Sequence, residues 1–68
     1  MIRYAVKFED VKTGAARYEA IGLGSSPDRQ YAHLYTTLEL AEKKAAQYRK
    51  GKQWWKNVEV IPVEVIWK

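Results

Sequence analysis

The first residues of the chain alternate between apolar and polar side chains. Ile2, Tyr4, Val6 and Phe8 share one parity, and the residues between them are mostly charged. Alternation with a period of two, built from β-branched and aromatic residues, is typical of a strand with one buried face. The chain therefore opens with a predicted strand.

A turn and further short strands are predicted after this segment. Asp10 can start a turn, and Gly14 can take the left-handed conformation that ends one. We predict a hairpin whose return strand covers residues 15–23. The polar, turn-rich residues 24–30 are predicted as a loop, and residues 31–35 as a short third strand.

The middle of the chain predicts one helix. Thr36 and Glu39 have the spacing of a capping box, in which each side chain bonds an otherwise unpaired backbone N–H. Residues 37–50 are strong helix formers, and Gly51 is placed to end the helix. Spacings of three and four define an apolar stripe, made of Leu38, Ala41, Ala45 and Tyr48.

The end of the chain predicts a long strand over residues 58–67, which is expected beside the first strand. Pro62 has no N–H to donate, so this strand should lie at an edge or carry a bulge. Apolar residues on both faces indicate either burial on two sides or a change of register near Pro62. The sequence thus predicts one α+β domain over residues 1–68, with one helix on one face of a three- to four-stranded, mostly antiparallel sheet (β-β-β-α-β).

Composition favours a small folded domain with a thin core. The chain has 68 residues, 47% of them hydrophobic and 13% aromatic, and no cysteine for a disulfide or a zinc-thiolate site. No apolar run approaches the roughly 18 residues that span a bilayer, and Arg3 breaks any signal-peptide pattern, so a cytoplasmic protein is expected. The net charge of +4 attracts polyanions without defining a site.

Catalytic chemistry has little support in the sequence. His33 is the one histidine, and no cysteine is present to act as a nucleophile. Ser25 and Ser26 fall in a predicted turn, and Glu59 and Glu64 fall on opposite faces of a predicted strand. We therefore expect no enzyme activity, no cofactor, no metal and no small-molecule substrate.

One segment combines aromatic and basic residues. The candidate binding surface there consists of Arg49, Lys50, Lys52, Trp54, Trp55 and Lys56. Bases of a nucleic acid can stack on exposed aromatic rings while cations contact phosphates. An equally physical alternative is that Trp54 or Trp55 fills the end of the core and the lysines keep the turn soluble.

Protein binding is the other class that the predicted architecture favours. A single helix covers one face of the sheet, so the second face must contact water or a partner. Arg3, Ala5 and Lys7 are expected on that second face, together with one side of the last strand. Self-association through this face would also bury apolar surface, which makes a homodimer a plausible arrangement.

Two segments carry a family resemblance. The run Leu34-Tyr35-Thr36-Thr37-Leu38-Glu39-Leu40-Ala41, followed by Val58-Glu59-Val60-Ile61-Pro62-Val63, resembles small uncharacterised proteins of phages and prophages from Gram-positive bacteria. The likeness covers about the last half of the chain and implies no site residues. It implies no activity, and it adds the option of a phage product that binds and inhibits a host protein in the bacterial cytoplasm. We expect a non-catalytic protein-interaction module, such as a phage accessory protein or an inhibitor of a host system. The alternative is a sequence-independent nucleic-acid-binding protein that uses the Trp/Lys-rich segment.

Overall fold

A computed structural model describes residues 1–20, 24–51 and 53–65 of the chain. Within them lie β1 (Ile2–Asp10), β2 (Ala16–Ala20), β3 (Gly24–Ser26), a short 3-10 helix (Arg29–Tyr31), α1 (Leu38–Lys50) and β4 (Trp55–Glu64). The four strands form an antiparallel sheet in the order β3-β2-β1-β4, and α1 packs on β1 and β4. The predicted α+β fold, with one helix on a sheet, is confirmed for these residues, and the last strand does lie beside the first.

The predicted hairpin between β1 and β2 is confirmed. The Asp10 carboxylate accepts hydrogen bonds from the backbone N–H groups of Lys12 (2.7 Å) and Thr13 (3.2 Å). Gly14 has φ of +74°, a conformation that other residues adopt only with strain. Residues 21–23 of the predicted return strand lie outside the described residues.

The predicted third strand at residues 31–35 is wrong, and the predicted loop at residues 24–30 is wrong for its first three residues. The third strand is Gly24–Ser26, which pairs with β2 so that Ser26 lies opposite Tyr18. Glycine and serine have low strand propensity, so the sequence pattern gives no indication of this strand. Backbone pairing forms it, and the Arg17 guanidinium reinforces it by donating to the hydroxyl (2.8 Å) and carbonyl (3.1 Å) of Ser25.

Residues 32–35 instead link β1 to β2. Ala32 forms an isolated bridge with Ala20, and Tyr35 forms one with Tyr4. The Tyr4 N–H donates to the Tyr35 carbonyl (2.9 Å), and the Tyr35 N–H donates back to the Tyr4 carbonyl (2.7 Å). The extended backbone predicted here is therefore used as a link between two strands, not as a strand of its own.

The helix begins one residue later than the capping box predicted. Thr37 is the N-cap, and its hydroxyl accepts from the Leu40 N–H at 3.3 Å. The box of Thr36 and Glu39 is wrong because two adjacent threonines offer the same capping chemistry, and it is Thr37 that has the extended conformation of a cap (φ −129°, ψ 152°). Gly51 ends the helix as predicted.

The core lies between α1 and the sheet. Ala41 and Ala45 are fully buried, as are Val6 and Phe8 of β1, so the two small side chains let the helix axis approach the strand closely. Leu38 was predicted in the same stripe, but half of its surface is exposed. Side chains of a helix tilt toward its N-terminus. The side chain of Leu38, the first residue of α1, therefore lies beyond the contact that Ala41 and Ala45 make with the sheet.

Pro62 lies in an edge strand, as predicted. Tyr4 is opposite Pro62, and because both backbone groups of Tyr4 bond Tyr35 on the other side of β1, this pair exchanges no hydrogen bonds. The backbone nitrogen of Pro62, which carries no hydrogen, therefore faces the open edge of the sheet. The register runs without a break from Ile2–Glu64 to Lys7–Glu59, so the alternative of a register change near Pro62 is wrong.

The irregularity in β4 lies at Asn57 instead. The register shifts by one residue between Lys7 and Glu9 of β1, which leaves an extra residue on β4. Asn57 has φ of +51°, the left-handed conformation found at the first position of one common type of bulge, and asparagine tolerates it better than most residues. The Asn57 side-chain amide donates to the Glu9 carboxylate at 3.2 Å.

Candidate binding surfaces

The structure gives the adjacent tryptophans Trp54 and Trp55 different environments. The Trp55 ring lies 4.5 Å from the ring of Phe8 and 6.2 Å from that of Tyr48, measured between centroids. Trp54 is 56% exposed. Of the two alternatives for this segment, Trp55 fills the end of the core, and Trp54 is the aromatic ring that faces solvent.

Trp54 is held in a tight turn between the helix and β4. Its N–H donates to the Gly51 carbonyl at 2.9 Å, and its own carbonyl accepts from the Val11 N–H at 3.1 Å. A Cβ at residue 51 would lie 3.7 Å from Cδ1 of Trp54 and 3.8 Å from Cδ1 of Trp55. The bond to Val11 brings Lys12, in the β1–β2 turn, to this same end of the molecule, a relationship that sequence spacing does not reveal.

The cations at this end of the molecule form a surface that we call the basic end, defined as Lys12, Lys44, Arg49, Lys50 and Lys56. Arg49 is partly engaged, because it lies 3.6 Å from the Glu42 carboxylate and donates to the Val58 carbonyl at 3.2 Å. Lys50 and Lys56 are exposed. Lys52, which the sequence placed in this surface, lies outside the described residues.

Two shallow clefts flank Trp55 at the basic end. The first, of about 300 Å³, is lined by Lys44, Gln47, Tyr48, Gly51 and Trp55. The second, of about 450 Å³, is lined by Arg49, Trp55, Lys56, Asn57 and Val58. Each cleft joins an aromatic wall to at least one cation, which is the chemistry that a planar ring attached to an anion requires.

The second surface is the helix-free face of the sheet. Val6 and Phe8 point toward the helix, so alternation puts Arg3, Ala5 and Lys7 on the opposite side, as predicted. The Lys7 ammonium lies 3.9 Å from the Glu59 carboxylate of the neighbouring strand, as residues on one face do. Ala5 is fully buried although it lies on this face.

A groove of about 420 Å³ crosses the helix-free face near the end of β4. Its apolar wall consists of Ala32, Leu34, Val63 and Val65. Arg29 and Glu64 are among the polar residues that line it. Leu34 is 37% exposed, so it presents an apolar side chain that a partner can reach. Sequence patterns within single elements do not reveal this groove, because it forms where residues 29–34 meet the end of β4.

A buried carboxylate holds the link between β1 and β2 in place. Glu19 is 7% exposed and accepts a hydrogen bond from the Tyr35 hydroxyl. Its second oxygen lies 3.5 Å from Nδ1 of His33, and the rings of His33 and Tyr35 stack with centroids 4.1 Å apart. His33 therefore belongs to a packed cluster with structural contacts.

The pKa values of Tyr35 and Tyr48 are both raised, first by burial and further by the charge of Glu19. Burial raises the pKa of Tyr35, and the hydrogen bond and negative charge of Glu19 raise it further. Burial also raises the pKa of Tyr48, with a smaller contribution from the same carboxylate. The Tyr48 hydroxyl donates to the Gly24 carbonyl at 3.2 Å, which joins the helix to β3.

In residues 1–20, 24–51 and 53–65, no group of three or more His, Asp or Glu side chains is placed to hold a metal ion. The same residues contain no helix with the length and apolar character to cross a membrane.

Comparison with known proteins adds no relative. The chain matches no protein-family model, no curated protein and no solved structure. The resemblance to phage and prophage proteins therefore stays a prediction, and a function has to be inferred from the two surfaces described above.

Proposed function

We propose that this chain is a non-catalytic interaction module that binds a protein partner through the helix-free face of its sheet. The observation that carries the proposal is the groove, where Leu34 and Val63 form part of an apolar wall that remains accessible from solvent. Burial of such a wall is the main favourable term in protein association.

The sheet edge is a poorer binding site than the face. A partner strand would have to add to β4, where Pro62 leaves the open edge without one backbone donor. The Arg49 side chain also occupies the Val58 carbonyl of that strand. Both features reduce the number of free backbone donors and acceptors along the edge of β4. Main-chain pairing with a partner strand is therefore disfavoured relative to docking on the face.

Charge favours an acidic partner over a second copy of the chain. Arg3 and Lys7 lie on the helix-free face, and Arg29 lines the groove, so three cations there outnumber two carboxylates, Glu59 beside Lys7 and Glu64 in the groove. Every copy carries a net charge of +4, so two copies repel each other while an acidic protein is attracted. A second copy of the chain stays the alternative occupant of this face. Because salt screens the repulsion between two positively charged copies, dimer formation would have to increase with salt concentration.

The proposal is tested with two matched leucine variants. Leu34 (37% exposed) lies in the groove, and Leu40 (46% exposed) lies on the helix away from it. Proteins cross-linked to the tagged chain in cells of its source are identified, and the purified candidate is titrated with each variant. We expect Leu34→Glu to abolish binding and Leu40→Glu to retain it.

Equal binding by the two variants would contradict the proposal. Sedimentation of the purified chain measures whether a second copy occupies the groove. A dimer that the Leu34→Glu substitution dissociates would identify the partner as a second copy. The biological setting that we propose, a phage accessory protein that occludes a surface of a host protein, follows from the resemblance and from this mode of binding.

A further inference from the structure

We propose that the basic end is a second, separate binding site, and that its ligand is single-stranded nucleic acid. This inference does not depend on the proposed protein partner, because the groove and the basic end share no lining residue. It rests on the exposure of Trp54, the cations around it and the two aromatic clefts beside Trp55.

Trp54 has the properties of a stacking platform. Its ring is 56% exposed, while its backbone is fixed by hydrogen bonds to Gly51 and Val11. An exposed ring on a fixed backbone can stack with a base without a large loss of conformational freedom. Trp55 contributes differently, because its ring is packed on Phe8 and only its remaining surface lines the clefts.

The charges around Trp54 complement a phosphate backbone. Lys12, Lys50 and Lys56 are exposed, and each belongs to a different element: the β1–β2 turn, the end of α1 and the start of β4. Three carboxylates lie at the same end: Asp10 accepts from the turn backbone, Glu9 accepts from the Asn57 amide, and Glu42 lies 3.6 Å from Arg49. The five cations of the basic end outnumber these three carboxylates. An anion at this end therefore meets an excess of positive charge, which favours binding of a polyanion.

The geometry favours a single strand over a duplex. Stacking on Trp54 requires a base whose face is not covered by its neighbours, and in a duplex both faces of each internal base are covered. The clefts of about 300 and 450 Å³ are also open and shallow enough for an unpaired base, and neither is a groove that would follow a double helix. No base-specific contact is implied, so sequence preference should be weak.

The test measures binding of a fluorescent oligothymidylate of about 12 nucleotides by anisotropy, at about 50 and 200 mM salt. We expect Trp54→Ala to weaken binding roughly 5- to 150-fold, the loss of one stacked base, with an unchanged melting temperature. Trp54→Phe should retain most of the affinity. A duplex of the same length should bind more weakly than the single strand.

The cations are tested by salt dependence. Lys56→Ala should reduce the slope of log K against log salt concentration by about 0.7, the contribution of one phosphate contact on a single strand. Arg29→Ala removes an exposed cation from the 3-10 helix, outside the basic end, and should leave the slope unchanged. Equal slopes for the two variants, an unchanged affinity in Trp54→Ala, or equal binding of duplex and single strand would each overturn the proposal.

Discussion

The ring centroid of Trp55 lies 4.5 Å from that of Phe8, with the two ring planes tilted by 49°. Phe8 is fully buried and also stacks on Tyr48, again at 4.5 Å between centroids. These three rings close the end of a core whose other contributions are small, because Ala41 and Ala45 provide the contact from the helix. The aromatic cluster therefore carries much of the stability of the domain.

The first prediction separates the two adjacent tryptophans. Trp55→Ala should destabilise the domain by about 3 kcal/mol, because it removes a ring packed on Phe8 and leaves a cavity. Trp54→Ala should change the stability by less than about 0.5 kcal/mol, since that ring faces solvent. Urea denaturation of both variants measures the difference. Equal losses would show that both rings belong to the core.

The second prediction concerns the contact between the helix and the sheet. Ala45 is fully buried, whereas its neighbour Ala46 is exposed. Ala45→Arg should unfold the domain, a loss of more than about 4 kcal/mol, because the charged side chain has no space and no partner there. Ala46→Arg should leave the far-UV circular dichroism spectrum and the melting temperature nearly unchanged. A folded Ala45→Arg variant would refute the packing.

The third prediction identifies the helix cap. Thr37→Ala should cost about 1 kcal/mol, because the Leu40 N–H loses the hydroxyl that accepts its hydrogen bond. Thr36→Ala should cost less than about 0.5 kcal/mol, since Thr36 is exposed and precedes the cap. Thermal melts of the two variants decide between the two positions. A larger loss in Thr36→Ala would restore the capping box that the sequence pattern favours.

The fourth prediction follows from the raised pKa of Tyr35. A tyrosine ionises near pH 10 in the unfolded chain, so its stabilising contribution is complete below that pH and is lost as the pH rises toward the raised pKa of the folded state. The free energy of unfolding should therefore fall as the pH rises above about 10, and fall less in Tyr35→Phe. Tyr31→Phe, at an exposed position, is the matched control. An equal fall in Tyr35→Phe and in the wild type would contradict this role.

Local sequence patterns were sufficient for part of this fold. The alternation of β1 correctly predicted the burial of Val6 and Phe8, but Ile2 of the same parity is exposed and Ala5 of the other parity is buried. The helical spacing of Ala41 and Ala45 correctly predicted that both are buried. Gly24–Ser26 could not be predicted in this way, because its strand conformation comes from pairing with β2 and not from its own propensity. Leu38 has the right spacing for the core, but a pattern does not reveal where the contact between helix and sheet ends.

The candidate surfaces were predictable to a similar extent. The sequence identified Trp54 and Trp55 as a pair but could not assign one to the core, since both sit in the turn that follows the helix. Lys12 was missed because it is distant in sequence and reaches the basic end through the bond between Val11 and Trp54. Glu19 was missed because a carboxylate in a strand is normally exposed, and its burial depends on Tyr35.

We infer that the fold packs Trp55 against Phe8 at the end of the core and leaves Trp54 as an exposed binding residue. Fluorine NMR of the chain labelled with fluorotryptophan tests it most directly, with resonances assigned by Trp→Phe variants. We expect a soluble paramagnetic agent to broaden the Trp54 resonance much more than that of Trp55, and a single-stranded oligonucleotide to shift the Trp54 resonance. Equal broadening of the two resonances, or an oligonucleotide-induced shift confined to Trp55, would contradict the account.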